Sequence, residues 1–130
     1  MGIQHHNPDT LLASPAFSQV VTVSGPGTWI QVGGQNAVDA SGAMVGDDMR
    51  SQTAQALRNV LTALAAVGAS QEHVIRMGIY YVGDDVAAGY AAAQEVWGVH
   101  PTAITGLQVA KLGVPGALVE IEVTAFLPAE

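Results

Sequence analysis

The run Ala117-Leu118-Val119-Glu120-Ile121-Glu122-Val123-Thr124-Ala125-Phe126 alternates apolar and polar side chains along its centre, the pattern of a β-strand with one face in a core. Successive side chains on a strand point to opposite faces. Val119, Ile121, Val123 and Ala125 therefore form one apolar row, and Glu120, Glu122 and Thr124 form the other. A carboxylate on a core strand is costly unless something pairs with it or uses it. What the second row meets is thus a question of function as well as of folding.

The rest of the chain divides at its turn residues. Ser18–Val23 and Thr28–Val32 read as strands separated by Ser24-Gly25-Pro26-Gly27, which predicts a hairpin. Gly33-Gly34-Gln35 closes the second of them. Asp47 or Asp48 caps a helix running to Gly68, with Met49, Thr53, Ala56, Leu57, Val60, Leu61 and Leu64 on one face. Val74–Val82 is a further strand. Asp84-Asp85 then caps a second helix that reaches Trp97 and is broken at His100-Pro101. Ala103–Leu112 and Leu118–Phe126 complete the set, joined by a turn containing Gly113, Pro115 and Gly116. The order is β-β-α-β-α-β-β, with room for a short strand before residue 10.

This order implies one α+β domain over residues 1–130, a single sheet with two helices on one face. Two helices cover only that face. The other carries the Glu120 row beside apolar residues and needs a partner, so self-association is expected, with Glu120 or Glu122 near a subunit boundary.

Composition excludes several classes of function. Four Lys+Arg against eleven Asp+Glu give a net charge of −7 with no basic cluster, which disfavours a nucleic-acid partner because phosphate affinity comes from Lys and Arg. No Cys is present, so thiolate metal sites, disulfides and cysteine nucleophiles are excluded. Gly33-Gly34 lacks the Lys-Ser/Thr of a phosphate loop, and no Gly-x-Ser-x-Gly elbow occurs. His5 and His6 read as a solvated N-terminal arm; neither they nor His73 and His100 have the spacing of metal ligands. No cofactor is called for. Without a leader or a membrane-length apolar run, a soluble cytoplasmic protein is expected.

Pro15-Ala16-Phe17-Ser18-Gln19, Gly33-Gly34-Gln35, Gln52 through Asn59, Gln94-Glu95-Val96-Trp97, Pro101 and Leu118-Val119-Glu120-Ile121-Glu122 together resemble the Rid family, the YjgF-type proteins often labelled L-PSP endoribonucleases. The resemblance spans nearly the whole chain. It implies a chorismate-mutase-like homotrimer with small-molecule pockets in the clefts between subunits, and an activity of hydrolysing reactive enamines and imines such as 2-aminoacrylate. It also implies the site. Glu120 matches the Glu that positions or activates water, and the substrate contacts fall on Phe17, Gly33, Gly34, Gln94, Ile104, Thr105 and Gly106.

At several of these positions the chain departs from the family. Counting back from Val109-Ala110-Lys111-Leu112, the Arg that would bind the substrate carboxylate falls on Ile104, which cannot do so. Phe17 stands for a Tyr, Gly33 for a Ser, Gln94 for an Asn and Gly106 for a Cys. The pocket should be more hydrophobic and less suited to a small anion. Arg76 could replace the cation if its side chain reached the same cleft. Glu122 reads as structural, and Trp97, Tyr80, Tyr81 and Tyr90 as core or interface aromatics, with Trp97 able to wall a pocket. Two functions remain: an enamine or imine hydrolase using Glu120, or a non-catalytic metabolite binder or assembly protein on the same scaffold.

Overall fold

The computed structural model describes residues 2–130. Its first helix starts at a capping box: the Asp48 carboxylate accepts from the Ser51 N–H at 2.8 Å, and the Ser51 hydroxyl reaches back to the Asp48 N–H. This begins α1, Met49–Ala65. Gly68, at φ +80°, takes the chain out of helical geometry three residues later. Asp85 caps α2, Val86–Val96, by accepting from the Ala88 N–H. The strands are β1 (Gly2–His6), β2 (Val20–Ser24), β3 (Gly27–Gln35), β4 (Val74–Tyr81), β5 (Ala103–Gln108) and β6 (Val119–Pro128), with a short 3-10 turn at Gln71–His73 before β4.

Four strands form the main sheet in the order β3-β6-β4-β5, while β1 and β2 form a separate antiparallel ribbon. The α+β class and the element order are as expected, and β1 supplies the short strand before residue 10. The hairpin is not formed. β2 pairs with β1, and β3 pairs with β6. The physical reason lies at the turn. The Pro26 carbonyl accepts from the Ala129 N–H at 3.0 Å, and Gly27 lies so close to the Phe126 ring and the Leu127 carbonyl that only a hydrogen fits at its α-carbon. The chain therefore turns a corner into register with β6 instead of folding back on β2. His5 and His6 consequently sit in β1, bonded to the Ser18 and Thr22 hydroxyls at 2.8 and 2.9 Å, not on a free arm. β5 ends at Gln108, short of the expected Leu112.

The core lies between one sheet face and the helices. Val119, Ile121, Val123 and Ala125 of β6, Met77 of β4 and Ile30 and Val32 of β3 pack with Met49, Ala56, Leu57, Val60 and Leu64 of α1. Burying the Val, Leu, Ile and Met side chains among them stabilises by roughly 1.5–3 kcal/mol each. Polar pins set the layers in place. Buried Gln52 accepts from the Leu118 N–H at 2.8 Å and donates to the Gly116 carbonyl at 3.1 Å, fixing the entrance to β6. Asn59 donates to the Asn36 and Val38 carbonyls, each at 2.9 Å, and Asn36 donates to the Val119 carbonyl at 3.0 Å. The Gln52–Asn59 segment that carries part of the family resemblance is thus bound to the architecture itself.

Candidate functional site

Phe17 is positioned by the bond that its neighbour Ser18 makes at the sheet edge. The Ser18 N–H donates to the Thr102 carbonyl at 2.9 Å, and the buried Thr102 hydroxyl donates to the Val74 carbonyl at 2.9 Å. These bonds tie the segment after Pro15 to the start of β5. Parallel pairing of β5 with β4 sets Ile104 beside Met77 and Gly106 beside Ile79, which turns both towards the helix layer. Gln94 approaches from α2. Phe17, Gln94, Ile104 and Gly106 accordingly line one cleft of about 590 Å³.

The cleft is mostly apolar. Its floor includes Met77, Ile79, Val119 and Ile121, and its walls include Leu57 of α1, Tyr90 of α2 and Trp97 just past the end of α2. Trp97 is held by its indole N–H, which donates to the His100 carbonyl at 3.3 Å. None of the lining residues is Lys or Arg, and Asp85 is the only carboxylate among them. Ile104 offers the cleft only hydrocarbon.

Glu120 lies elsewhere. It belongs to the β6 row that faces away from the helices, opposite Tyr80 in the ladder. Its carboxylate packs against Gly34, where a β-carbon would overlap it. The irregularity between Val32 and Gln35 in the β3–β6 ladder brings Gly34 to that position. Gly33 is open, with nothing within 4 Å of where its Cβ would be. Thr105, paired with Gly78, also faces this side. Within one chain, then, Gly34 and Glu120 lie on the sheet face opposite the cleft that Phe17, Gln94, Ile104 and Gly106 line, while Thr105 stands at the β5 edge between the two sides.

Arg76 joins the Glu120 side. A smaller cleft of about 430 Å³ is lined by Arg76, Thr105 and Thr124 together with Phe17 and Ile104, so the two clefts meet at the β5 edge. Across the bare Gly78, Arg76, Glu122 and the Tyr80 hydroxyl come together: a Cβ at 78 would lie 2.9 Å from the hydroxyl, 3.2 Å from Glu122 Cγ and 3.3 Å from Arg76 Nη1. Hydrogen bonding to the Glu122 carboxylate, then burial and the negative charge of Glu122, raise the Tyr80 pKa above its ordinary value, while Arg76 pulls against the rise. Glu122 and Tyr80 are thus neighbours on the sheet face that Arg76 shares.

One polar group near the main cleft has no counterpart in the sequence reading. Thr53, placed there on the apolar face of the first helix, lines the cleft and its buried hydroxyl has no hydrogen-bond partner. Among the described residues, no three His, Asp or Glu side chains gather closely enough to hold a metal ion, and no helix is long and apolar enough to cross a membrane.

A two-layer α+β domain with an apolar cleft at the edge of its sheet is the class this geometry defines. The chain belongs to the endoribonuclease L-PSP family, the Rid/YjgF family, whose model matches residues 8–127. Among solved structures it is similar to YyfB, a conserved Rid-family protein of unknown function from Yersinia pestis, at 32% identity over 98% of this chain and 100% of that one, with a TM-score of 0.87. A member of the YjgF/YER057c/UK114 family from Mycobacterium tuberculosis is 28% identical over 85% of this chain and 86% of its own, TM-score 0.67. A putative endoribonuclease L-PSP from Entamoeba histolytica is 27% identical over 91% and 98%, TM-score 0.70. No curated protein matches the chain.

Proposed function

We propose that the protein is a homotrimeric, cytoplasmic, small-molecule-handling member of the Rid family that acts at clefts between subunits, hydrolysing an enamine or imine with Glu120 handling the water. The observation that carries this reading is the division of the candidate residues between the two sheet faces. Phe17, Gln94, Ile104 and Gly106 make a cleft with no acid at its centre, and Glu120 with Gly33 and Gly34 makes an acid with no cleft. A second copy that lays its Glu120 face against the first copy's cleft would complete both. Thr105 at the β5 edge would stand near the seam.

The absence of any Lys or Arg from the cleft argues against the usual amino-acid-derived anion as substrate. RNA cleavage, the activity in the family's label, fits poorly with a net charge of −7. The second reading, a metabolite binder without chemistry, is favoured by the same loss of the Arg position to Ile104.

Three measurements test the proposal. Light scattering at micromolar concentration should give the mass of a trimer, and a monomer would sink the shared site. The parent should show little or no deamination of 2-aminoacrylate. Ile104→Arg should confer it, and Glu120→Gln in that background should remove it again. Gain of activity that survives Glu120→Gln would take the water-handling role away from Glu120.

A further inference from the structure

The cleft beside Ile104 runs inward as far as side chains that a closed core would cover. Leu57, Met77, Val119 and Ile121, each 3% exposed or less, form part of its lining. A cleft open to solvent whose inner end reaches such side chains is a chamber in which an apolar ligand can bury surface. The sequence explains why the space exists. The stretch Ala87-Ala88-Gly89-Tyr90-Ala91-Ala92-Ala93 gives α2 small side chains at nearly every position, too short to fill the gap above the sheet.

The inner wall holds a second, independent feature. Thr53 is 5% exposed and its hydroxyl is the one buried side-chain polar atom among the described residues that lacks a partner. A buried hydroxyl left unpaired is costly. Opposite it stands Gly89, where a Cβ would lie 3.5 Å from Thr53 Oγ1 and 3.7 Å from Met49 Cγ. Thr53 and Gly89 both line the cleft, and Gly89 puts no side chain between α2 and the hydroxyl. A hydroxyl both donates and accepts, so it can serve a carbonyl or an alcohol equally.

We propose that this inner chamber holds the apolar body of an uncharged small molecule, an aromatic or branched aliphatic carbonyl compound or alcohol, whose single polar atom enters beside Gly89 and pairs with Thr53. The inference rests on reading the Ile104 cleft as the ligand cleft, and it does not depend on hydrolysis. The lining holds no Lys or Arg and includes Asp85, with His100 as its one basic side chain, which favours a neutral ligand over an anion.

The test is isothermal titration calorimetry of the intact protein with two probes of similar shape, the neutral ketone 4-phenylbutan-2-one and the anion 3-phenylpropanoate. The ketone should bind about tenfold or more tightly than the anion. Thr53→Val, which keeps the volume and removes the hydroxyl, should weaken the ketone about threefold to tenfold, the range of one hydrogen bond. Gly89→Ala should weaken it similarly while raising the thermal midpoint, because alanine is the better helix former; a damaged fold would not bind less and melt higher. Failure of the ketone to bind at millimolar concentration, equal or tighter binding of the anion through Arg76, or indifference to both substitutions overturns the proposal. If the ketone binds and no imine is turned over, the hydrolytic reading falls alone; if an imine is turned over and the ketone does not bind, the chamber proposal falls alone.

Discussion

The Glu120 carboxylate rests on the bare α-carbon of Gly34. A Cβ at residue 34 would stand 2.8 Å from Glu120 Cδ and 3.0 Å from Cγ, closer than such atoms approach. The group in the way is the end of a flexible side chain, so Gly34→Ala should be accommodated by the carboxylate swinging aside. The expected result is a stability change of about 1 kcal/mol or less with Glu120 misplaced. In the Ile104→Arg background, Gly34→Ala should depress turnover as Glu120→Gln does, and the two together should do no more than either alone. Additive losses would show that Gly34 acts independently of Glu120.

Gly27 offers the opposite case. Its missing Cβ would meet the Leu127 carbonyl at 2.7 Å as well as the Phe126 ring, and backbone cannot move aside cheaply. Gly27→Ala should therefore lower stability by about 2–3 kcal/mol, whereas Gly33→Ala, with open space around it, should change it by about 0.5 kcal/mol at most. Urea unfolding of the two variants decides the matter. Equal effects would contradict the corner as described.

Gln52 should behave as a structural pin. Replacing it with Leu removes the acceptor of the Leu118 N–H and the donor to the Gly116 carbonyl. Leaving buried polar groups unpaired costs about 1–3 kcal/mol each, so Gln52→Leu should destabilise by about 2–4 kcal/mol in denaturant titration. A neutral outcome would mean that the loop before β6 finds other partners.

Tyr80 gives a pH signature. Its pKa lies above the ordinary value of 10.0 because the neighbouring Glu122 carboxylate favours the neutral phenol. A group raised in the folded state contributes stability that is fully present below the unfolded value and is lost as pH rises through the folded one. The alkaline limb of the stability profile should therefore carry a Tyr80 component that Tyr80→Phe removes. By absorbance, the Tyr80 step, identified by its loss in Tyr80→Phe, should come late. Arg76→Gln should push that step later still, since Arg76 opposes the shift. An earlier step in Arg76→Gln would reverse the reading of the trio.

Most of the architecture is written in local pattern. The alternation around Ile121 places β6 with its core face inward, and Asp48 and Asp85 mark both helix starts because capping is decided within four residues. The turn at Ser24-Gly25-Pro26-Gly27 was not legible in the same way. Whether it closes a hairpin or rounds a corner depends on Ala129 and Phe126, about a hundred positions away in sequence, and no local rule sees that far. The candidate site shows the same limit. Motif position brought Phe17, Gln94, Ile104 and Gly106 to attention, and they share a cleft; that Glu120 lies across the sheet from them depends on strand register. Thr53 read as one more core residue on the α1 stripe. Its unpaired hydroxyl becomes visible only once the height of an alanine-rich α2 above the sheet is known.

The strand order β3-β6-β4-β5 also governs when the molecule can acquire its structure. β6 is made after the other five described strands, yet it lies between β3 and β4, which have no ladder with each other. Until residues 119–128 leave the ribosome, α1 has no complete sheet to cover and the two halves of the sheet have no shared partner. Assembly must therefore wait for synthesis to reach β6. Contacts so distant in sequence make the subsequent search slow, and a nascent chain of this kind would spend its growth with the future core exposed, a period in which chaperone protection matters more than at any later time.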